Sequence, residues 1–247
     1  MMTNRVALVT GGTGGIGTEI CKALANDGCR VAASWLAGVD DGEGWQAKLK
    51  GEGFDFAIAE GDVSKFEAAT AMVKEVEAKL GPVDILVNCA GITKDGFMHK
   101  MESNQWDAVL RINLDSVFNV TRQVITSMRD KGFGRIINIS SVNGQKGQIG
   151  QTNYSAAKAG MHGFTMALAQ ESARKGITVN TISPGYIATS MVAAMGDKVV
   201  NKMIEQIPVG RLGKPEEIAR IVAFLAAEES GFITGANIAI NGGMHMG

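Results

Sequence analysis

This 247-residue chain is short of several things, and each shortage removes a class of function. It has no excess of either charge: 24 Lys and Arg stand against 25 Asp and Glu, a formal net charge of −1. There is thus neither a basic stripe for nucleic acid nor an acidic, solvating tail. Its three cysteines, Cys21, Cys29 and Cys89, are widely spaced and form no CxxC, which excludes a disulfide framework. His99, His162 and His245 are equally scattered, so no metal-ligand spacing exists and no metal is expected. Four prolines rule out collagen and Pro-rich linkers. No apolar run approaches the ~18 residues of a membrane span. Met1–Arg5 leads straight into Val6-Ala7-Leu8-Val9 without a signal-peptide pattern, so a cytoplasmic location is expected.

Glycine is abundant: 32 of 247 residues, about 13% against a usual ~7%. At 45% hydrophobic and 20% charged the chain is no disordered segment. Short β-branched runs alternate with helical patterns. Strands are expected at 5–10, 30–35, 54–59, 84–88, 135–140, 178–183 and 237–240. Helices are expected near 15–27, 45–50, 64–80, 103–131, 154–175, 198–206 and 216–227, the third opening on a capping box of Ser64 with Glu67. Alternation of this kind predicts βαβ units and an α/β fold, a parallel sheet with helices on both faces. No linker, composition shift or repeat divides residues 1–247, which read as one domain.

Thr10-Gly11-Gly12-Thr13-Gly14-Gly15-Ile16-Gly17 leaves the first strand and opens the first helix. That context suits a nucleotide loop. Gly11 permits a tight turn, Gly15 lets the backbone approach a diphosphate, and Gly17 lets the helix pack on the sheet, with the helix N-terminus facing the anion. No Lys-Ser/Thr closes the motif, so it is not a P-loop.

Tyr154 and Lys158 are four apart on one helix face, where a phenol and an ammonium can point into one cleft. The intervening and following residues are small or apolar, so a lysine there needs a reason. Ser141 follows the fifth strand at the sheet's C-terminal edge, where α/β ligands bind. Asn113, between Ile112 and Leu114 in a helical stretch, is unfavourable unless it bonds something.

The Gly-loop, Asn88-Cys89-Ala90-Gly91, Asn113, Ser141, Tyr154, Lys158 and Pro184-Gly185 follow one another in the order of the short-chain dehydrogenase/reductase family, and the resemblance spans essentially the whole chain. Cys89 is a departure, since the family usually has a second Asn there. The resemblance implies a single Rossmann-type, doubly wound parallel sheet of about seven strands. Within the family, Ser140–Tyr154 and Asn241–Gly247 are similar to the acetoacetyl-CoA reductases of polyhydroxybutyrate synthesis. The nearest alternative is the 3-oxoacyl-acyl-carrier-protein reductases of fatty-acid synthesis. A non-catalytic nucleotide sensor on the same scaffold is a remote one.

The resemblance implies hydride transfer from a reduced nicotinamide to the C3 ketone of a 3-oxoacyl thioester, giving the (R)-3-hydroxy product. Tyr154 is then the acid, its pKa lowered by Lys158 and the oxidised cofactor. Ser141 fixes the carbonyl, Lys158 also holds the nicotinamide ribose, and Asn113 holds a water that returns the proton. Cofactor contacts are implied for Gly11, Gly12, Thr13, Gly14, Gly15, Ile16, Gly17, Trp35, Asn88, Ala90, Gly91, Pro184, Gly185, Ile187 and Thr189. Asp62 and Val63 contact adenine, or Asp62 caps the next helix. Substrate contacts are implied for Ser141, Tyr154, Gln148, Gln151 and Tyr186, and for Asp95 and Lys100, the latter otherwise a plain surface lysine. The Met-rich segment Met191–Met203, within a stretch near 187–213, reads as a lid or as ordinary core.

The resemblance favours NADPH, and no acid ends the second strand at Ser34-Trp35. Against it, no Arg or Lys occurs between Val31 and Ala47, while Asp40 and Asp41 do, so NADH is plausible. The apolar circumference of the 154–175 helix, with Met161, Phe164, Met166 and Leu168, predicts association, and the family's habit makes that a homotetramer.

Overall fold

A computed structural model describes residues 2–246, with only the backbone of Met191 described; the Met191 side chain and Gly247, both named above, lie outside the described part. The elements are β1 Val6–Thr10, α1 Gly15–Asn26, β2 Arg30–Trp35, α2 Gly42–Gly51, β3 Ala57–Glu60, α3 Phe66–Leu80, β4 Ile85–Asn88, α4 Ser103–Leu110 and α5 Ser116–Lys131, the last two joined by one π-helical turn, Arg111–Asp115. Then come β5 Gly134–Ile139, α6 Asn143–Lys146, α7 Thr152–Ser172, β6 Ile177–Pro184, α8 Ser190–Ala193, α9 Asp197–Ile204, α10 Pro215–Ala226 and β7 Asn237–Ile240.

The seven strands form one sheet in the order β3-β2-β1-β4-β5-β6-β7, and every pairing is parallel. Order reverses between β1 and β4, so the crevice beyond their C-terminal ends is the switch point where such sheets take ligands. Side chains alternate along each strand, and both faces are covered. Ala7 and Val9 join Ile20 and Leu24 of α1 and Ile218 and Val222 of α10. Val6 and Leu8 join Met72 and Val76 of α3 and Val120, Val124 and Met128 of α5. Continuous apolar runs are the signature of strands buried on both sides, and β1 is buried at all five positions.

All seven expected strands are present, most within one residue; β3 starts three residues later than expected, at Ala57. The Ser64–Glu67 capping box is not formed. Asp62 Oδ1 instead accepts from the Ser64 amide at 3.0 Å and from its hydroxyl at 2.6 Å, and α3 begins at Phe66 with no side-chain cap. A carboxylate two residues upstream outcompetes Glu67 because a tight Asx turn needs no helical geometry to form. No described helix is long and apolar enough to cross a membrane.

Candidate functional site

The Gly-loop sits at the end of β1, against the end of β4. Gly11 has φ +60°, and a Cβ there would stand 2.9 Å from Ala90 Cα, so only glycine fits. A Cβ on Gly17 would overlap the Gly11 carbonyl oxygen. Thr10 Oγ1 accepts from the amides of Cys89 (3.0 Å) and Ala90 (3.2 Å), locking the two strand ends together. A Cβ on Gly15 would lie 3.3 Å from the Thr189 side chain, which brings the segment after β6 to the same crevice. Thus Gly11–Gly17, Ala90, Gly91 and Thr189 are gathered in one place.

The loop fits a dinucleotide. Helix α1 has no side-chain N-cap, which leaves its first amides without partners from the protein's side chains. Beside them Thr13 Oγ1 is buried and has no hydrogen-bond partner among the described residues. An orphaned buried hydroxyl at an uncapped helix N-terminus matches an anionic diphosphate.

Lys158 is 3% exposed and donates from Nζ to the Ile139 carbonyl at 2.8 Å. Its Nζ lies 5.6 Å from the centroid of the half-buried Tyr154 ring. Ser141 Oγ accepts from the Asn143 amide at 3.1 Å, so its own proton is free to point elsewhere. Burial lowers the Lys158 pKa to about 8, with Cys89 opposing. Burial pushes Tyr154 up to about 12; the Ser141 hydroxyl pulls the other way, while Cys89 and Asp95 add to the rise. Desolvation of the phenolate thus outweighs the Ser141 hydrogen bond in the protein alone, whereas the expected lowering includes the positive charge of the oxidised nicotinamide.

Asn113 is fully buried in the π-turn, and its amide is committed to backbone. Oδ1 accepts from the Ile92 amide at 3.2 Å, and Nδ2 donates to the carbonyls of Ile92 and Val109, both at 2.9 Å. These bonds hold the side chain against the Gly91–Ile92 turn and leave Oδ1 one lone pair for a further donor such as the expected water. Reaching back to Val109, four residues earlier, replaces a helical bond at the π-turn. Gly91 makes room for this: a Cβ there would lie 2.5 Å from Asn113 Oδ1 and 3.4 Å from Lys158 Nζ.

Asn88 is the last residue of β4, at the crevice, and its Nδ2 donates to Asn138 Oδ1 of β5 (2.8 Å) and Thr121 Oγ1 of α5 (3.3 Å), which fixes its side chain at the strand end. Asp62 carries the Ser64 turn and pairs with Lys65 at 3.4 Å; burial opposes its ionisation, but these bonds outweigh it and its pKa is lowered. The buried Val63 offers its carbonyl to Asn119 Nδ2 at 3.0 Å. Ile187 is in the core, and Pro184 ends β6 beside Gly185, whose missing Cβ accommodates the Asn241 backbone.

Beyond Ser141, Asn143 Nδ2 donates to Gln151 Oε1 and Gln151 Nε2 to Asp95 Oδ2, both at 2.9 Å. The Asp95 loop and the α6–α7 loop are further joined by the Gly96 amide and the Gly150 carbonyl, 2.8 Å apart. The Gln148 side chain accepts from Lys146 at 3.2 Å and its carbonyl from the Gln151 amide at 3.1 Å, and the exposed Lys100 side chain has no ion pair or hydrogen bond among the described residues. Tyr186 is half-buried, and burial raises its pKa. Asn143 was not anticipated; its only signal was its position two residues after Ser141.

At the far end of the crevice, Trp35 and the α2 start are in contact, since a Cβ on Gly42 would overlap the indole. Asp40 Oδ2 accepts from the Leu36 amide at 3.1 Å, and Asp41 Oδ1 caps α2 through Gly44 at 2.9 Å. Two cavities of about 480 and 550 Å³ lie elsewhere, one lined by Arg5, Asp84 and Lys131, the other between α1 and α10, and neither includes Tyr154 or Lys158. The described residues contain no cluster suited to a metal.

Relatives place this geometry. Over 243 residues the chain is 60% identical to the acetoacetyl-CoA reductase of Allochromatium vinosum, covering 98% of this chain and 99% of that one. It is 58% identical over 246 residues to the acetoacetyl-CoA reductase of Cupriavidus necator, with 100% of each covered. The 3-oxoacyl-[acyl-carrier-protein] reductase of Staphylococcus epidermidis is 42% identical over 243 residues, 98% of this chain and 100% of that one. The short chain dehydrogenase profile matches residues 5–199. With a switch-point crevice, a glycine-built loop opening the first helix and a profile match over most of its length, the chain belongs to the short chain dehydrogenase family.

Proposed function

We propose that the protein reduces acetoacetyl-CoA to (R)-3-hydroxybutyryl-CoA with a nicotinamide cofactor, in polyhydroxyalkanoate synthesis and in the cytoplasm. The observation that carries this reading is the buried Lys158 beside Tyr154 and Ser141 at the sheet's switch point, in a chain whose relatives at 58% and 60% identity are named for that reaction. Residues 1–247 act as one domain. The carrier-protein thioester is the second reading, supported by the 42% relative. The nucleotide-sensor reading has less support, because a sensor needs neither a desolvated lysine nor a phenol next to it.

A dihydronicotinamide bound in the crevice supplies a hydride. As that C–H bond forms at C3, the carbonyl π pair moves to oxygen, and the developing alkoxide needs a proton. Ser141, whose oxygen already accepts from the Asn143 amide, directs its O–H at the carbonyl. Tyr154 is protonated at neutral pH because its pKa stands near about 12, and it gives the alkoxide its proton. Lys158, still largely charged below about 8, stabilises the phenolate left behind and holds the ribose. The phenolate is reprotonated from solvent. Asn113 keeps the Gly91–Ile92 turn in place for both groups.

Gly11–Gly17 would hold the diphosphate, Asp62 and Val63 would border the adenine, and Trp35 would border the adenosine ribose. Gly185, Ile187 and Thr189 would flank the carboxamide. NADPH follows from the family, but the loop after β2 offers Asp40 and Asp41 and no cation, so NADH is also accepted. Residues 187–213 form a lid: Ile187 and Gly213 make a parallel bridge that ties the neck, while Met195, Val199 and Val209 are exposed beyond it. Met166 of α7 and Phe118 of α5 are also exposed, which supports a homotetramer built on these helices. One assay tests the reading: acetoacetyl-CoA against the carrier-protein thioester, followed by nicotinamide absorbance. Faster turnover of acetoacetyl-CoA is expected, and no turnover of it overturns the proposal.

A further inference from the structure

One turn along α7 from Lys158, half-buried His162 faces the end of β5 and the C-terminal part of β6. Its Nε2 lies 2.9 Å from Ser140 Oγ and 3.4 Å from Ser183 Oγ. Ser140 Oγ also lies 2.8 Å from the Lys158 carbonyl oxygen, and Ser183 Oγ lies 2.7 Å from Asn237 Oδ1. A hydroxyl has one proton, and a carbonyl oxygen can only accept. The Ser140 proton therefore goes to Lys158, and the Ser140 oxygen is left as an acceptor for the histidine. The same reasoning makes Ser183 an acceptor, its proton going to Asn237. Nε2 thus carries the hydrogen, shared between two hydroxyls whose own protons are already placed.

We propose that His162 is a positioning residue for the reductase site: as its Nε2-protonated tautomer it clamps β5 and β6 to α7, and through Ser140 it fixes the Lys158 turn and the strand end that carries Ser141. This role rests on the reductase reading. Burial lowers the His162 pKa, so the ring is neutral at physiological pH. Protonation at Nδ1 would leave the Nε2–H bonds in place, so the clamp itself does not switch with pH. Its purpose is distance. Ser141 sits next to Ser140, and Lys158 Nζ is held by Ile139 on the same strand, so one loose seam would move both groups relative to Tyr154.

Two measurements on the full chain test the clamp. In protein labelled with ¹⁵N histidine, long-range ¹H–¹⁵N spectra at neutral pH should give His162 as the Nε2–H tautomer, its signals assigned by their loss in His162→Gln. The spectrum needs no substrate, so it judges the clamp even if the chain reduces neither thioester. A proton on Nδ1 overturns it. In kinetics, His162→Leu keeps bulk but no donor, whereas His162→Gln keeps an N–H of similar reach. The leucine variant should lose ~10-fold in kcat with KM for the thioester nearly unchanged, and the alkaline limb of its pH profile should move; glutamine should restore kcat to within ~3-fold and return the limb. Equal kcat and an unmoved limb in both variants, with at most a lower Tm, would reduce His162 to a packing residue and overturn the proposal.

Discussion

Lys158 Nζ stands 5.6 Å from the centre of the Tyr154 ring and hydrogen-bonds the Ile139 carbonyl, so the amine is fixed by the sheet and not by the phenol. The two groups can therefore be perturbed separately. Tyr154→Phe keeps the ring that Lys158 packs against and removes only the proton. Turnover should fall ~10²–10⁴-fold, the usual worth of a placed general acid. Cofactor affinity, read by titrating nicotinamide fluorescence, should change less than ~3-fold. Near-normal turnover would remove Tyr154 from the chemistry.

The two shifted pKa values set the direction of the pH profile. Reduction needs Tyr154 protonated and Lys158 charged. Lys158, lowered by burial to about 8, loses its proton first as pH rises, well before Tyr154 near about 12. In kcat/KM, which reports the free enzyme, activity should therefore be level below about 7 and fall with a slope of one above about 8. Steady-state assays across pH 6–10 at constant ionic strength check this. A limb that appears only above about 10 would mean that Lys158 keeps an ordinary lysine pKa.

Much of this was legible in the chain. The seven strands declare themselves because both faces are buried and the runs are uninterrupted, as in Val6–Thr10. That Tyr154 and Lys158 lie close together follows from helical spacing, and that Ser141 lies near them follows from its position at a strand end. What was not legible depends on contacts between distant segments. The Asn88 side chain is fixed at the strand end because Asn138 and Thr121 lie beside it, and neither is near it in sequence. Asn113 was visible as an odd residue in an apolar helix, but its bonds to Ile92 exist only once the 91–92 turn crosses the π-turn. The rise that burial gives Tyr154 in the protein alone was not legible either, because charge partners can be read from spacing, whereas depth of burial cannot.

Gly91 is where the site has least room. A methyl added there would press on Asn113 Oδ1 at 2.5 Å, and Asn113 is fully buried and bonded to the Ile92 and Val109 backbone. Gly91→Ala should cost about 1–3 kcal/mol through overpacking and loss of the Ile92 bonds. Because the same Cβ lies 3.4 Å from Lys158 Nζ, kcat should fall along with Tm. Thermal unfolding and turnover measured on one preparation test both. A variant with parental Tm and kcat would mean that the turn yields easily.

Cofactor choice turns on the loop after β2. Asp40 closes it by accepting from the Leu36 amide, and Asp41 caps α2, so both carboxylates are held at the strand end by backbone bonds. A 2′-phosphate there meets negative charge and no guanidinium from this stretch of chain, Val31–Ala47. The preference for NADPH over NADH in kcat/KM should therefore stay under ~100-fold, about 2.7 kcal/mol. Ala37 is exposed on the same loop, and Ala37→Arg adds a fork of donors without disturbing either aspartate. One charge-assisted bond to the phosphate should move the ratio toward NADPH by ~10-fold. If the parent already exceeds ~100-fold, or if the arginine leaves the ratio where it was, the phosphate is recognised by residues outside this loop.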